Sequence, residues 1–397
     1  MAIRSNADTE RLRGYRVKLY PTDEEKARLD QMISLSRYVY NWTIGEINRL
    51  YDAGEKFPSF FDLEKIFCKH RNLPENEWLK KLPWNASAQQ IKFAYEAFRL
   101  FFKQHTGYPS FRSKRFGVQS MTYTGESVWF KNGKVKVSGF GRCKLIKVKK
   151  HHVPQIPKGK YYYNPTVTRD KDGNYWLSIC AERPKKKMNK PQSDPIGIDV
   201  GVRTLITTSD GDFYNFPDTS KLEKKKKRLQ RKASKDRERL LAESKRTKTK
   251  YHDLPKSKNM LKREAAVRKV YQRIKNIQDN YIHNVTTEIV ERNPRAIVIE
   301  DINVREMVSN SNPISKNLGS DKPQMKFGMI HHCLTYKAFD RGIPLIIAPK
   351  DFPSTKKCSN CGNVYNIGSS KTYNCPHCGL KIDRDLNAAY NLRDLAY

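Results

Sequence analysis

Acidic residues occur at two places where strand-like segments could present carboxylates to metal ions. Asp199 lies inside the apolar run IGIDVGV, and Glu300 ends the apolar run AIVIE, with Asp301 directly after it. Both runs have the composition of buried strands, in which a carboxylate is costly unless a cation neutralises it. Neighbouring strand residues point to opposite faces, so only one of Glu300 and Asp301 can serve one site. The residues alone leave that choice open.

A third acidic group contains Asp383 and Asp385, in the run DRDLNAAYNL near the C-terminus, where a helix is predicted to begin. Carboxylates from two strands and one helix could together hold two Mg²⁺ ions about 4 Å apart. One ion would activate water for in-line attack on a phosphodiester, and the other would stabilise the departing oxygen. A single acid near a strand end is more often a turn or surface residue. The conjunction of these acids with the basic charge of the chain and its paired cysteines is what predicts a nuclease.

Four of the eight cysteines form two Cys-x-x-Cys pairs separated by thirteen residues, the spacing of structural zinc sites. They are Cys358, Cys361, Cys375 and Cys378. Each pair is followed by a glycine, Gly362 or Gly379, which suits a tight turn. His377 could replace one thiolate, but four cysteines make this unnecessary. Reduced, metal-binding thiols also favour an intracellular protein.

The other four cysteines are scattered along the chain in apolar or mixed segments. They are Cys68, Cys143, Cys180 and Cys333. Free cysteine behaves as a small apolar side chain, so we predict ordinary core positions for them.

The charge of the chain is strongly unbalanced. Its 397 residues include 77 lysines and arginines against 41 acidic residues, a net charge of +36. Such an excess predicts a polyanionic partner, either nucleic acid or an anionic membrane surface. No apolar run approaches the ~20 residues that cross a bilayer, and MAIRSNADTERLRG is not of signal-peptide type. We therefore expect nucleic acid and no membrane, although a ribosomal or histone-like protein would need only the charge.

Nearly half of the positive excess lies in one segment. Residues 221–275 contain 23 lysines and arginines and 6 acidic residues, a net charge of +17. Apolar residues recur at helical spacing on both sides of Pro255, which predicts two helices with a narrow packed seam. A solvated surface would be served equally well by balanced charges. The unbalanced face therefore favours binding to phosphates.

The remaining patterns predict elements that would position these residues. YRVKLY alternates like a strand, and Thr22 with Glu25 predicts a capping box that opens a helical region. Short β-type runs between about 116 and 183 include hairpin signals at Asn132-Gly133 and Asp172-Gly173. After a linker, strands and helices follow in the order of an RNase H-like α/β fold.

The motifs together resemble those of one family. IGIDVGVRTL, IVIEDINV, PSTKKCSNCG, CPHCG and DRDLNAAYNL resemble the RuvC-type nuclease half of TnpB proteins, transposon-encoded RNA-guided nucleases related to type V CRISPR effectors. YRVKLYPTDEE, SRYVYNW and GYPSFRSKR resemble the family's N-terminal motifs. The resemblance covers nearly the whole chain in order. It implies that Asp199, Glu300 and Asp385 are the catalytic, magnesium-binding acids, and that Asp383 is a helix cap or a neighbour of the site.

The resemblance also implies the domain plan. The fold would be a multidomain α+β protein with a wedge-type β-barrel, an N-terminal helical recognition region and an RNase H-like RuvC nuclease that carries an inserted zinc ribbon. The expected bounds are 1–22 for the first wedge strand, 23–115 for the helical region, 116–188 for the barrel and 189–397 for RuvC, with a basic helical insertion at 221–290 and the ribbon at 355–380.

By the same resemblance, the protein would bind a guide RNA made from the transposon end and recognise a short motif beside its target. It would then cut double-stranded DNA, one protein per guide RNA, in a prokaryotic cytoplasm at the nucleoid. Guide pairing would supply sequence specificity. The residues expected to contact phosphates are Arg112, Lys114, Arg115, Lys224, Lys225, Arg228 and Arg231. Asn85 and Gln89 would read the flanking motif, with core packing an equal alternative.

One helix departs from the family pattern. Where the family usually carries an Arg, an Asp and a His-Lys pair, this chain has Gln278, Asn280, His283 and Asn284, so only the histidine agrees. The departure does not touch the expected metal ligands. Three other functions remain compatible with the sequence: an RNA-guided repressor that does not cleave, a DDE-type transposase, and a junction resolvase that needs no guide.

Overall fold

The computed structural model describes most of the chain and divides it into two compact units, Met1–Pro184 and Lys185–Tyr397. The described residues are 12–104, 107–114, 118–124, 128–137, 146–149, 153, 162–182, 190–201, 204–300, 326–368 and 370–397. Among them, no helix has both the length and the apolar content that a membrane crossing requires.

The first unit contains a seven-stranded antiparallel sheet. Its strands are β1 (Leu12–Tyr20), β2 (Gln119–Thr122), β3 (Val128–Lys131), β4 (Lys134–Val137), β5 (Ile146–Val148), β6 (Tyr162–Arg169) and β7 (Tyr175–Glu182). Their spatial order is β2-β6-β7-β1-β5-β4-β3, so β1 pairs between strands that come much later in the chain. The ring centroids of Phe130 in β3 and Tyr162 in β6 lie 5.1 Å apart, so the sheet curls back on itself. This is a split, barrel-like sheet of the kind that the resemblance implied.

Three helices lie between β1 and β2. They are α1 (Asp23–Asp52), α2 (Phe60–Asn72) and α3 (Trp84–Gln104). The predicted capping box opens α1: the Thr22 backbone N–H donates to Glu25 Oε2 at 2.8 Å, and the Glu25 N–H donates to Thr22 Oγ1 at 3.3 Å. Helices and sheet share one apolar core, to which β1 contributes Val17 and α3 contributes Phe98. The helical region predicted from the sequence is therefore present.

The second unit is built on a five-stranded mixed sheet. Its strands are β8 (Ile196–Asp199), β9 (Ile206–Thr208), β10 (Phe213–Tyr214), β11 (Ile297–Glu300) and β12 (Leu345–Ala348). In the order β10-β9-β8-β11-β12, the first three strands pair antiparallel, and β8, β11 and β12 run parallel. This is the topology of an RNase H-like sheet, as predicted. All of β8 and three of four residues of β11 are buried, which explains their unbroken apolar runs.

Helices cover both faces of this sheet. They are α4 (Ser220–Thr247), α5 (Lys258–Glu291), α6 (Phe327–Arg341) and α7 (Arg384–Arg393). Ile282 of α5 and Leu334 of α6 share a core with Ile198, whereas Leu392 of α7 packs with Val298. Helices α4 and α5 form the predicted hairpin. Only Leu240 is buried along α4, so nearly all of its basic side chains are left to solvent.

Helix α7 packs closely against β8 at Gly197. A Cβ atom on Gly197 would lie 2.0 Å from the Ala389 carbonyl oxygen and 2.4 Å from the Arg393 nitrogen, both backbone atoms. Contacts this short exclude any side chain. The short antiparallel ribbon β13 (Thr372–Asn374) and β14 (Lys381–Asp383) leads directly into α7.

Replacing Gly197 by alanine should therefore displace α7. We expect Gly197→Ala to destabilise the protein by about 1–3 kcal/mol, the usual cost of overpacking, and to speed hydrogen exchange in residues 384–393. Thermal unfolding and exchange mass spectrometry would measure both effects. Gly328→Ala is the control, because Gly328 is an exposed residue of α6 with open space around its Cβ position. Equal melting temperatures for the two variants would contradict the close contact.

Candidate active site and metal centre

The two predicted strand acids lie side by side. Strands β8 and β11 are parallel neighbours with Ile198 opposite Ile299, so Asp199 and Glu300 follow at the same carboxyl edge. Helix α7 packs against β8 and carries Asp385 in its first turn. The sheet and the helix thus bring all three predicted acids to one place.

The side chain of Asp199 is buried and is affected by the charges of the other acids. Its side chain is only 7% exposed. Burial raises the pKa of Asp199 well above its usual range, and the negative charges of Glu300 and Asp385 raise it further, while Arg384 lowers it. Burial also raises the pKa of Glu300, an effect that a hydrogen bond from Ser354 opposes. Among the described residues, the negative charge of the group therefore exceeds what Arg384 offsets.

This donor set fits a hard divalent cation. Mg²⁺ prefers oxygen ligands, keeps several waters and is usually bound through one or two carboxylates together with substrate phosphates. The three acids do not form a closed cage: within the described ranges, the only set of three or more metal-binding side chains whose ligand atoms all lie within 4.8 Å of one another is the four cysteines. An open carboxylate edge leaves coordination positions for water and substrate.

The structure gives different contacts to the two acids, Asp383 and Asp385, at the start of α7. Asp383 is its N-cap: Oδ1 accepts hydrogen bonds from the Asp385 N–H at 2.9 Å and the Leu386 N–H at 3.2 Å. Asp385 instead forms an ion pair with Arg384 Nη2 at 3.2 Å, and its charge raises the pKa of Asp199 more than the charge of Asp383 does. Asp383 therefore has the capping position that the resemblance implied. Asp301, the alternative to Glu300, lies outside the described residues.

The four predicted cysteines converge on one point. The sulfur atoms of Cys358 and Cys378 lie 3.6 Å apart, as do those of Cys361 and Cys375. These separations are far too long for disulfides and match the edge of a tetrahedron with a metal–sulfur distance of about 2.3 Å. The cluster can therefore hold a zinc ion in four-coordinate geometry.

The turns and thiols of the cluster suit a metal site. Gly362 and Gly379 have φ of +77° and +73°, and their N–H groups donate to the Cys358 and Cys375 carbonyls, each at 3.0 Å. Only glycine adopts this conformation easily, so the predicted turns are confirmed. Hydrogen bonds from the Asn360 side chain and the Leu380 N–H lower the pKa of Cys378 to about 6. A thiol that ionises at neutral pH is a ready metal ligand.

The scattered cysteines have different environments. Cys333 is buried, Cys180 is half-buried and Cys68 is exposed. The predicted core position is thus confirmed for Cys333 and wrong for Cys68, which lies on the solvent side of α2. Cys143 lies outside the described residues.

Most of the basic residues predicted to contact phosphates are exposed, but Arg112 contacts other side chains of the protein. Lys114 is exposed, and so are the four basic residues predicted on α4, which are Lys224, Lys225, Arg228 and Arg231. Arg112 is engaged within the first unit: its guanidinium stacks 3.6 Å from the Tyr40 ring centroid, and Nη1 donates to Gln90 Oε1 at 2.8 Å. Burial lowers the pKa of Arg112. Arg112 therefore stabilises the packing of its loop against the helices. Arg115 lies outside the described residues.

Asn85 and Gln89 are half-buried residues of α3. Their neighbour Gln90 is 1% exposed and accepts the hydrogen bond from Arg112, so the core side of this turn is already filled. Recognition of a flanking DNA motif by Asn85 and Gln89 stays a prediction.

The helix that departs from the family pattern is α5. Gln278 is buried, whereas Asn280 and Asn284 are exposed. Between them, Asp279 forms ion pairs with Lys275 and Lys326, and His283 Nδ1 lies 3.6 Å from Cys333 Sγ. These contacts tie α5 to the start of α6, which gives this face of the helix a packing role.

Sequence reasoning missed three polar residues around the acids. The Ser354 hydroxyl donates to Glu300 Oε1, and Ser354 is 3% exposed. Asn387 and Asn391 of α7 are 0% and 1% exposed. Their positions at i and i+4 in DRDLNAAYNL, beside two alanines, were the available signal, because buried amides must be hydrogen-bonded.

The acid group leads to a prediction about stability without metal. At neutral pH, Asp199→Asn should raise the melting temperature in EDTA because it removes a buried charge from among like charges. A raised folded-state pKa costs stability as pH rises above the unfolded value, so the gain should be larger at pH 8 than at pH 5. Added MgCl₂ should stabilise the wild type more than the variant. Asp194→Asn, at an exposed position just before β8, is the control, and an equal response to MgCl₂ in both variants would contradict a metal site at Asp199.

The cysteine cluster leads to a prediction about metal content. We expect one zinc ion per chain, and a tetrahedral thiolate absorption spectrum after exchange into Co²⁺. Cys378→Ala should lose this spectrum, because three thiolates cannot close the site. His377→Ala should keep it, because His377 is exposed and four sulfurs already converge. Loss of the spectrum in the histidine variant alone would show that the ligand set is different.

Comparison with known domains supports this architecture. Residues 178–311 match a family described as a probable transposase, OrfB_IS605, and residues 327–392 match the Cas12f1-like TNB domain. Residues 11–56 match a helix-turn-helix domain of the OrfB_IS605 group. Here that segment contains β1 and α1.

Related proteins and structures extend over most of the chain. A Streptomyces pristinaespiralis protein named "Putative RNA-guided DNA endonuclease" is 26% identical and covers 96% of this chain and 88% of its own. "Putative RNA-guided DNA endonuclease InsQ" of Escherichia coli (strain K12) is 26% identical, covering 96% and 92%. TnpB-like protein L79 of Acanthamoeba polyphaga mimivirus is 25% identical, covering 95% and 72%.

The fold is similar to that of two solved structures. A chain of a Cas12f1–sgRNA–target DNA complex has a TM-score of 0.54 at 14% identity and covers 94% of this chain and 83% of its own. The mini-RNA-guided endonuclease CRISPR-Cas_phi3 has a TM-score of 0.52 at 10% identity, covering 97% and 92%. The OrfB_IS605 match includes strands β8 to β11 of the RNase H-like sheet and the TNB match contains the four cysteines, so the chain resembles TnpB-like proteins over most of its length.

Proposed function

We propose that this protein is an RNA-guided endonuclease of a transposable element that cuts double-stranded DNA. The observation that carries the proposal is the buried Asp199 carboxylate with Glu300 and Asp385 beside it at the edge of an RNase H-like sheet. This arrangement does not favour folding, because burial and the charges of Glu300 and Asp385 disfavour the ionised form of Asp199. It is explained by chemistry that uses divalent cations.

The three acids would be the catalytic, metal-holding residues. When bound, two Mg²⁺ ions supply activation of the attacking water and stabilisation of the leaving oxygen. The chain's own contribution is geometric: parallel strands fix Asp199 and Glu300 as neighbours, and α7 brings Asp385 from the other side. Burial strengthens their hold on a cation, because the local dielectric is low. Zinc in the cysteine cluster would have a structural role.

The proposed partners are a guide RNA made from the transposon end and double-stranded DNA with a short flanking motif. Two relatives that cover nearly the whole chain bear the names "Putative RNA-guided DNA endonuclease" and "Putative RNA-guided DNA endonuclease InsQ", which supports this choice. The exposed lysines and arginines of α4 would contact phosphates and make binding depend on salt. Base pairing with the guide would select the target, one protein to each guide. The site of action would be the prokaryotic nucleoid.

We assign the parts of the chain accordingly. Residues 1–22 and 116–188 would form the wedge barrel, 23–115 the recognition region and 189–397 the RuvC nuclease. A cleavage-deficient repressor would not need its acids, and all three are present, which favours the nuclease. A DDE-type transposase would need no RNA. RNA that co-purifies with the protein would therefore distinguish an RNA-guided nuclease from a transposase.

The test uses the protein with the RNA that co-purifies from its expression host. Sequencing that RNA defines a guide, and a DNA library with the complementary target beside randomised flanking bases serves as substrate. We expect cleavage in MgCl₂ and none in EDTA. Asp199→Asn, Glu300→Gln and Asp385→Asn should each lower the cleavage rate by several orders of magnitude while binding to RNA and target is retained.

Asp383→Asn is the matched control, because Asp383 caps α7 and an asparagine can cap a helix equally well. It should keep most of the activity. Loss of cleavage in Asp383→Asn but not in Asp385→Asn would show that the third acid is misassigned. An active, RNA-free protein would refute guided cleavage altogether.

A further inference from the structure

Ser354 links the acid group to the cysteine cluster. It lies between β12 and the first Cys-x-x-Cys pair, and its side chain is buried. Its hydroxyl donates to Glu300 Oε1, while its backbone carbonyl accepts a hydrogen bond from Asn391 Nδ2 at 2.8 Å. The residue thus contacts a proposed metal ligand through its side chain and α7 through its backbone.

Two asparagines of α7 hold the chain on both sides of Cys358. The Lys357 carbonyl accepts hydrogen bonds from Asn387 Nδ2 and Asn391 Nδ2, each at 2.7 Å. The Ser359 N–H donates to Asn387 Oδ1 at 2.9 Å. Both side chains are buried, so leaving these groups unpaired would be costly. The first turn of the cysteine cluster is therefore fastened to the helix that carries Asp385.

These contacts form one continuous path. Cys358 fixes the turn, the turn is held by Asn387 and Asn391, and Asn391 also holds Ser354. Ser354 in turn donates to Glu300 Oε1, and no described residue donates a hydrogen bond to Glu300 Oε2. A movement of the turn around Cys358 would therefore displace both Glu300 and α7.

We propose that Ser354 is a positioning residue for Glu300, and that metal in the cysteine cluster keeps Ser354 in place through Asn387 and Asn391. The cluster thereby supports divalent-cation binding at the acids, in addition to shaping its own ribbon. This inference rests on the proposed nuclease function. It predicts that the two metal sites are energetically coupled.

The test measures Mn²⁺ binding directly, by electron paramagnetic resonance of the protein–RNA complex titrated with MnCl₂. Binding that persists in Asp199→Asn defines the background. Partners that orient a metal ligand typically contribute about 10–100-fold to metal affinity. We therefore expect Ser354→Ala to weaken Asp199-dependent Mn²⁺ binding by about that factor, and to raise the MnCl₂ concentration needed for half-maximal cleavage. Ser354→Thr keeps the hydroxyl and should restore most of the affinity.

Zinc content and melting temperature separate positioning from general damage. Both should be unchanged in Ser354→Ala. The matched control is Thr355→Ala, at the next residue, whose hydroxyl makes no hydrogen bond within the described part of the chain. It should bind Mn²⁺ like the wild type. Wild-type affinity in Ser354→Ala, or lost affinity accompanied by lost zinc and not restored by threonine, would overturn the positioning role.

Coupling is tested by a double-mutant cycle with Cys361→Ser, which impairs the cysteine cluster. Cys361→Ser alone should weaken Mn²⁺ binding, and the double variant should bind no more weakly than the poorer single variant, because both changes act on the same path. Additive losses would refute the coupling. If Asp199→Asn abolishes cleavage while Ser354→Ala binds Mn²⁺ normally, only this inference fails. If Asp199→Asn still cuts DNA, the proposed function itself fails.

Discussion

A buried carboxylate among other carboxylates constrains the whole second unit. Asp199 is almost fully enclosed, and its nearest ionisable neighbours include Glu300 and Asp385. The cost of this arrangement must be met by the rest of the fold, because a charged group in low dielectric is stable only when compensated. The apolar strands beneath it and the helices on both faces provide that support. The acid group can therefore be accommodated only in a well-packed sheet.

The close approach of α7 to β8 follows from the same constraint. Asp385 can join the strand acids only if its helix lies directly on the sheet, and Gly197 permits this because it has no side chain. Asn387 and Asn391 then anchor the other side of the helix to the cysteine turn. One short helix therefore serves the sheet, the acids and the cysteine cluster at once. This explains why polar residues are buried along it.

The site acids and the basic residues of α4 have different surroundings. Asp199, Glu300 and Asp385 lie together at one edge of the sheet, whereas α4 exposes lysines and arginines along most of its length. Exposed basic groups lose little hydration and act at a distance, so they can attract a polyanion without a defined geometry. The acids act only at contact distance and need fixed positions. The net charge of +36 therefore indicates a polyanionic partner, whereas the three acids indicate chemistry that uses a metal cation.

Local patterns allowed much of the fold and part of the site to be predicted. The capping box at Thr22, the two-residue turn at Asn132-Gly133 with φ of 48° and 68°, and the glycine turns of the cysteine cluster depend on neighbouring residues. Short stretches of sequence therefore determine the geometry of these caps and turns. The strand acids were also predictable, because a carboxylate in a buried apolar run is conspicuous.

Only the tertiary structure decided which distant side chains meet. The stacking of Arg112 on Tyr40, the hydrogen bond of Ser354 to Glu300 and the contact of α7 with Gly197 join residues far apart in the chain. No periodicity marks such pairs, since they arise from how elements pack. The sequence by itself determined the chemistry that this protein carries: oxygen and sulfur ligands, and a basic surface. Packing decided which of those groups share a site, because ligand sets depend on distances that only the folded chain establishes.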